Sequence, residues 1–189
     1  FSTMINLVIH YSEIGTKGKN RNFFEKKLME NIRKALTSET TNVHRRYGRI
    51  IVDLKGKFNQ DQIISTLSIL PGISSFAFAE QTNLDFEKIK KTAKELLEKE
   101  ISNYEKIKKQ TKNKESIGKT KFQTFKVETK RSNKQFPMKS PDINKEVGKF
   151  LEKELDILAQ YKNPDILIQL EVGEIETHLY ANKYQGVGG

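Results

Sequence analysis

Cysteine is absent from the 189 residues. That excludes disulfides, thiolate nucleophiles and Cys-ligated metals from this chain. Histidine is scarce, with only His10, His44 and His178. No two of them are spaced as a metal pair on a helix or strand, so a structural role is the default for each and a His-based zinc site has little support. No Ser-His-Asp arrangement can be built from three scattered histidines, and Glu13, Asp53 and Glu171 are isolated acids in or beside strand segments. No stretch approaches the ~20 apolar residues of a membrane-spanning helix. No segment sets a wide apolar face against a purely basic one, which argues against a membrane-surface role. A signal peptide is also missing, so a cytoplasmic location is expected. Phe1-Ser2-Thr3 precede Met4 and read as a scar left by expression.

What the chain has in surplus is positive charge. Lys and Arg number 34 against 24 Asp and Glu, a net +10. Such an excess on a small protein favours polyanionic partners, the bland alternative being a basic solubility surface. The excess is uneven. Between Tyr104 and Lys139 there are 12 Lys and Arg and 3 acids, a net +9 within 36 residues.

Hydrophobic periodicity divides the chain into two α/β units, an α+β or α/β class overall. Residues 4–11 form an apolar run that reads as a strand. Phe24, Leu28, Ile32, Ala35 and Leu36 recur at helical spacing, and Asn22 with Glu25 resembles a capping box that starts this helix near Phe23. Strands are expected at 43–47 and 49–55, a helix at 59–69, a turn at Pro71-Gly72 and a strand from Ile73 to Ala79. The order βαββαβ is that of a ferredoxin-like domain, residues 4–80. The second unit, residues 83–183, opens with an amphipathic helix marked by Phe86, Ile89, Ala93, Leu96, Leu97 and Ile101. Asp85 and Glu87 favour its N-terminal dipole. The lysine-rich stretch 104–119 reads as a loop or mobile edge. A strand follows at 121–130, with Phe125, Val127 and Thr129 facing opposite to Lys126, Glu128 and Lys130. Ser140 suits an N-cap and Pro141 the first helical position, ahead of an apolar stripe of Ile143, Val147, Phe150, Leu151, Leu155 and Leu158. Ile166, Ile168, Leu170 and Val172 alternate as a strand. Gly173-Glu174 then turns the chain into 175–181, where Ile175, Thr177 and Leu179 alternate. Gly186 to Gly189 reads as a hinge or a cut linker.

Two basic loops are candidates for binding. Gly15-Thr16-Lys17-Gly18-Lys19-Asn20-Arg21 joins the first strand to the first helix. It lacks the spacing of a P-loop, and its Gly-x-x-Gly matches a KH-type backbone clamp only superficially. Small residues, Lys17, Lys19 and Arg21 near a helix N-terminus could hold an anion; the alternative is an ordinary βα loop with solvated lysines. The second loop carries Lys130, Arg131, Lys134, Phe136 and Lys139 and ends at the Ser140 helix start. Its cations and the free N–H groups of that helix end suit phosphate. Phe136 could stack on an unpaired base or plug the core beneath the loop.

Three segments together resemble one family. YSEIGTKGKNRNFFEKKL is similar to the opening of the tRNA 4-thiouridine synthetases (ThiI, tRNA sulfurtransferase), with EI-x-x-KGKNR-x-x-FE from Glu13 to Glu25. FKVETKRSNKQFPMKSPDINKEVG resembles the core of a THUMP domain, with KR-x-x-K-x-FP-x-x-S-x-x-x-N-x-x-x-G from Lys130 to Gly148. YANKYQGVGG is similar to the segment ahead of that family's catalytic domain. The resemblance implies an N-terminal ferredoxin-like domain at 4–80, a THUMP domain at 83–183 and a truncated linker at 184–189. It implies tRNA as the partner, held by its acceptor stem and 3′ end through Lys17, Lys19, Asn20, Arg21, Lys130, Arg131, Lys134, Phe136, Lys139 and Ser140. The family's third domain carries an SGG-x-DS PP-loop and a reactive cysteine. It adenylates uridine 8 with ATP and receives sulfur from a persulfide donor. This chain has neither motif, so the resemblance implies no catalytic residue, metal or cofactor here. ATP and Mg belong with the absent domain. Some family members also serve thiamine thiazole synthesis. A stand-alone THUMP RNA-binding adaptor is the rival reading, and a homodimer is left open.

Overall fold

A computed structural model describes residues 4–12, 20–46, 48–111 and 124–188. They form two compact units: one of residues 4–79 with 182–188, and one of residues 80–181.

The first unit contains β1 (Met4–Tyr11), α1 (Arg21–Ala35), β2 (Thr40–Arg46), β3 (Arg49–Leu54), α2 (Gln60–Ser68) and most of β4 (Ile73–Thr82). This is the expected βαββαβ order. The strands lie in the order β2-β3-β1-β4, with β3 antiparallel to both β1 and β2. Register puts Leu7 opposite Val52 and Ile9 opposite Ile50. These side chains share one face and pack with Leu28 and Ile32 of α1, Ile63 and Leu67 of α2, and Phe76. Ala35, expected in the α1 stripe, is exposed, and Leu36 takes the buried position. The Asn59 side chain caps α2 by accepting the Gln62 N–H at 3.1 Å. The Pro71-Gly72 turn places Gly72 at φ +97°, where a side chain would be strained.

Residues 184–188, expected as part of a linker, pack on the first unit. After Asn182 the chain rejoins the first unit, where β9 (Tyr184–Gln185) pairs antiparallel with β4 at Phe76 and Ser75. Tyr184 stacks on Phe76 with ring centroids 5.4 Å apart. Three further backbone bonds fix the segment: Gly186 N–H to Ser74 O at 2.9 Å, Gly188 N–H to Ile73 O at 2.8 Å, and Gly72 N–H to Gly188 O at 2.8 Å. Glycine is required because the backbones nearly touch. A Cβ on Gly186 would lie 2.2 Å from Ile73 O.

The second unit contains α3 (Phe86–Thr111), β5 (Thr124–Arg131), α4 (Ser140–Leu155), β6 (Leu158–Ala159), β7 (Ile166–Val172) and β8 (Thr177–Tyr180). β5 runs parallel to β6 and β7, and β8 is antiparallel to β7 and to the last three residues of β4. Helices α3 and α4 supply Ile89, Ala93, Leu97, Ile143, Val147 and Leu151 to a core with Phe125, Val127, Ile168 and Leu170.

Four expectations in this unit are corrected. The helix expected to end before residue 104 continues to Thr111; Lys, Glu and Gln propagate a solvated helix without an apolar stripe once its first turns are formed. Residues 112–119 of the expected loop lie outside the described residues. Leu158 is not part of the α4 stripe, because Asp156 ends the helix in the left-handed conformation and Leu158 joins β6, 58% exposed. Ile175 is also exposed and precedes β8, whose four residues are all buried. Finally, Ser140 is the first helical residue and Lys139 the cap, with no side-chain cap bond. Pro141 tolerates the second helical position as well as the first, since no intrahelical partner awaits its nitrogen at either.

Candidate nucleic-acid interface

The loop between β5 and α4 is built from beneath. Ser132 N–H donates to Val172 O at 3.0 Å, which ties the end of β5 to β7. Asn133 is buried and its Oδ1 accepts the N–H groups of Gln135 at 2.9 Å and Phe136 at 3.1 Å. That Asx turn bends the chain so that Phe136 drops inward. The ring is 6% exposed and packs in the core of the second unit. Phe136 therefore offers no open face to a base, and its candidate role as an RNA contact gives way to anchoring the loop.

Arg131 has a similar inward duty. Its Nη1 donates to Phe136 O and Met138 O, both at 3.1 Å, so the guanidinium holds the two limbs of the loop together. Lys130, Lys134 and Lys139 remain exposed, while Ser140 is half-buried. The first helical hydrogen bond of α4 runs from Ile143 N–H to Lys139 O at 3.0 Å. The preceding amides of Ser140 and Asp142 have no partner within the helix. Three exposed lysines thus lie on a segment that leads into a helix N-terminus and whose shape is fixed by Asn133, Phe136 and Arg131. The arrangement suits phosphate oxygens, with the Asp142 carboxylate as its one counter-charge in the first helical turn.

Sequence reasoning missed Asn133. The signal was there, an Asn after a strand and before a buried aromatic, but Asn in a basic run reads equally well as a surface residue.

In the first unit, Lys17 and Lys19 lie outside the described residues, together with Gly15, Thr16 and Gly18. Asn20 is exposed and caps α1 without a side-chain bond. Arg21 begins the helix and is half-exposed, with its Nε donating to Glu25 Oε1 at 2.8 Å. Glu25 is 2% exposed and also accepts from Tyr11 OH at 2.8 Å and from Arg45 Nη1. The expected Asn22–Glu25 capping box does not form. Asn22 Oδ1 accepts from Arg45 Nη1 at 3.1 Å, and Glu25 turns inward to the three donors. One carboxylate therefore binds the residue two before segment 13–19, the residue two after it, and β2. Beside it, a groove of about 350 Å³ is lined by Glu25, Lys26, Met29, Arg33 and Arg45.

Burial pushes the Glu25 carboxyl up, but hydrogen bonds from Arg45, Arg21 and Tyr11 and the Arg45 charge outweigh it, holding it below the ordinary 4.5. A depressed carboxylate contributes stability that is present above the ordinary value and is lost as pH falls through the folded value. Glu25→Gln is expected to cost about 1–2 kcal/mol at neutral pH, a moderate figure because both arginines can rehydrate. It should also lose less than the parent chain on acidification below 4.5. Urea midpoints on either side of that value check this; equal acid losses in both proteins would show the network to be energetically idle.

Among the described residues no group of three or more His, Asp or Glu could hold a metal ion, and no helix is long and apolar enough to cross a membrane.

Comparison with known proteins gives a consistent result. Residues 6–77 match the family model of the ThiI ferredoxin-like domain, and residues 83–182 match that of the THUMP domain. A probable tRNA sulfurtransferase of Thermoanaerobacter pseudethanolicus is 35% identical over 185 residues, covering 97% of this chain and 43% of the relative. The chain thus spans less than half the length of that relative. Among solved structures, PH1313 of Pyrococcus horikoshii superposes with a TM-score of 0.80 at 28% identity, over 98% of this chain and 57% of that one. A 4-thiouridine synthetase–RNA complex with bound ATP gives 0.76 at 26% identity, over 98% of this chain and 43% of that one.

Proposed function

Because the chain belongs to the THUMP domain family, with a ThiI ferredoxin-like domain ahead of its THUMP domain, we propose that it is the tRNA-binding portion of a tRNA sulfurtransferase. Its task is to hold the acceptor end of tRNA so that a PP-loop domain can adenylate and thiolate uridine 8. That chemistry needs groups these 189 residues do not contain, since they have no cysteine and no SGG-x-DS run. The observation that carries the reading is the loop from Lys130 to Ser140. It presents Lys130, Lys134 and Lys139 outward while Arg131, Asn133 and Phe136 fix it from inside. A surface serving solubility alone has no need of a loop held in one shape.

Phosphate contacts position RNA but carry no sequence information, so charge alone would bind any duplex equally. A tRNA with an intact acceptor stem and unpaired 3′ end is expected to bind several-fold more tightly than the same tRNA with that end removed. Titration of both at one salt concentration tests this. Equal affinity would reduce the loop to a nonspecific basic surface.

A further inference from the structure

With Phe136 in the core, the second unit has one exposed aromatic ring among its described residues: Tyr161, 78% exposed. It stands on a short turn that is pinned at both ends. Before it, Gln160 N–H donates to Phe125 O at 2.8 Å, and Ala159 N–H to Glu152 Oε1 at 2.8 Å. Within it, Gln160 Nε2 donates to Lys162 O at 2.6 Å and to Asn163 O at 3.2 Å, with Asn163 in the left-handed conformation at φ +49°. After it, Asp165 Oδ2 accepts Thr124 N–H at 2.9 Å, and Asp165 N–H donates to Thr124 Oγ1 at 3.1 Å. A turn secured this closely fixes the point on the backbone from which the ring projects. A ring of this size left exposed on a secured turn is available to a partner.

The surroundings select that partner. Lys126 Nζ lies 4.2 Å from the Tyr161 ring centroid. An ammonium over one face attracts the ring electrons and leaves the opposite face for stacking. Lys126 also pairs with Glu128 at 2.9 Å. Its charge is thereby partly neutralised, so this end of the strand is better suited to a base than to a phosphate. Lys126 and Lys130 lie on the same face of β5, roughly 13 Å apart at the usual rise of a strand. Beyond Lys130 come the exposed Lys134 and Lys139. A stacking ring at one end and phosphate-binding amines at the other is the layout of a single-stranded nucleic-acid track, in which aromatic faces accept bases and cations follow the backbone.

We infer that Tyr161, backed by Lys126, is the platform on which an unpaired base of the bound RNA stacks. The inference rests on the tRNA-binding reading above and adds to it the residue that distinguishes a single strand from a duplex.

Two RNA hairpins with the same stem, one blunt and one with an unpaired 3′ overhang, test it on the full chain. The overhang carries a fluorescent base whose emission falls on stacking. The unsubstituted chain should bind the overhang hairpin more tightly and quench its fluorescence. Tyr161→Ala should lose about tenfold in affinity for the overhang hairpin. It should also lose the quench, with blunt-hairpin affinity unchanged. Tyr161→Phe should restore both, because stacking needs the ring and not the hydroxyl. Circular dichroism confirms that each variant is folded. Unchanged affinity and quench in Tyr161→Ala would overturn the assignment of Tyr161 while leaving tRNA binding in place. So would an equal loss on both hairpins. If the unsubstituted chain binds neither hairpin, the tRNA-binding reading falls and this inference with it. A change of oligomeric state in Tyr161→Ala without a change in RNA affinity would assign the ring to a protein contact instead, and likewise overturn it.

Discussion

Replacing Lys130, Lys134 and Lys139 together by Ala is expected to weaken tRNA binding by about a hundredfold near ~0.1 M salt, with the deficit shrinking as salt is raised. Each neutralised phosphate contributes on the order of −0.7 to −0.9 to the slope of log K against log salt, so three lost contacts should shallow that slope by roughly two to three units. The three lysines are the right set because all are exposed, whereas the bonds that shape the loop come from Arg131 and Asn133. Exposed substitutions of this kind usually change stability by less than ~0.5 kcal/mol. Arg131 does not belong in the same variant. Its removal would free the carbonyls of Phe136 and Met138, and a binding loss could then come from a collapsed loop. Affinities measured across a salt series, with melting curves alongside, separate the two effects. A folded triple variant with the slope of the parent chain would show that RNA does not use this face.

Gly186→Ala should have the largest effect on stability. The added Cβ would sit 2.2 Å from Ile73 O and 2.9 Å from Ile73 C, and both are backbone atoms that no rotamer change can move. Relief requires β9 to lift from β4. That would weaken the bonds of Gly186 to Ser74 and of Gly188 to Ile73, and the stacking of Tyr184 on Phe76. A cost of about 2–3 kcal/mol in the first unit is expected, typical of a forced backbone shift. For a unit of this size it lowers the melting midpoint by about 10 °C. Gly56→Ala is the matched control, since nothing lies within 4 Å of its added Cβ. Identical melting of the two variants would mean that the C-terminal segment does not pack as described.

The elements that sequence patterning reveals are those whose burial follows a simple period. The alternation of β7 and the Ile143–Val147–Leu151 stripe of α4 were legible because one face of each meets a core and the other does not. Features set by long-range partners were not. Gly186 and Gly188 look like a hinge until the Ile73 carbonyl is known to lie against the one and to accept the N–H of the other. Glu25 fits a capping box three residues after Asn22, yet Arg45 from β2 draws it inward, and nothing local announces that partner. The basic loop itself was legible by charge. Which of its members hold it and which face outward was not, because Arg131 and Lys130 are alike in charge and differ only in where the strand points them. Tyr161 is silent in the sequence for the opposite reason: a tyrosine beside Lys162 in a turn has no pattern, and only its exposure sets it apart.

The return of the chain to β4 also bears on the order of events during synthesis. Ser75 and Gln185 are paired but stand 110 residues apart in sequence. A ribosome emits the N-terminus first, so the first unit leaves the exit tunnel well before the strand that completes it. Until then one edge of β4 is open to other partners, and the interval is filled by making the whole second unit. Contacts of such high sequence separation close late, after the entropy of the intervening loop has been overcome. The second unit behaves in this sense as an insert within the first, and early folding of the insert shortens the effective loop that must be closed. Glycine at 186 serves this late docking as well as the finished structure, since a residue without a side chain can lie directly against the Ile73 carbonyl.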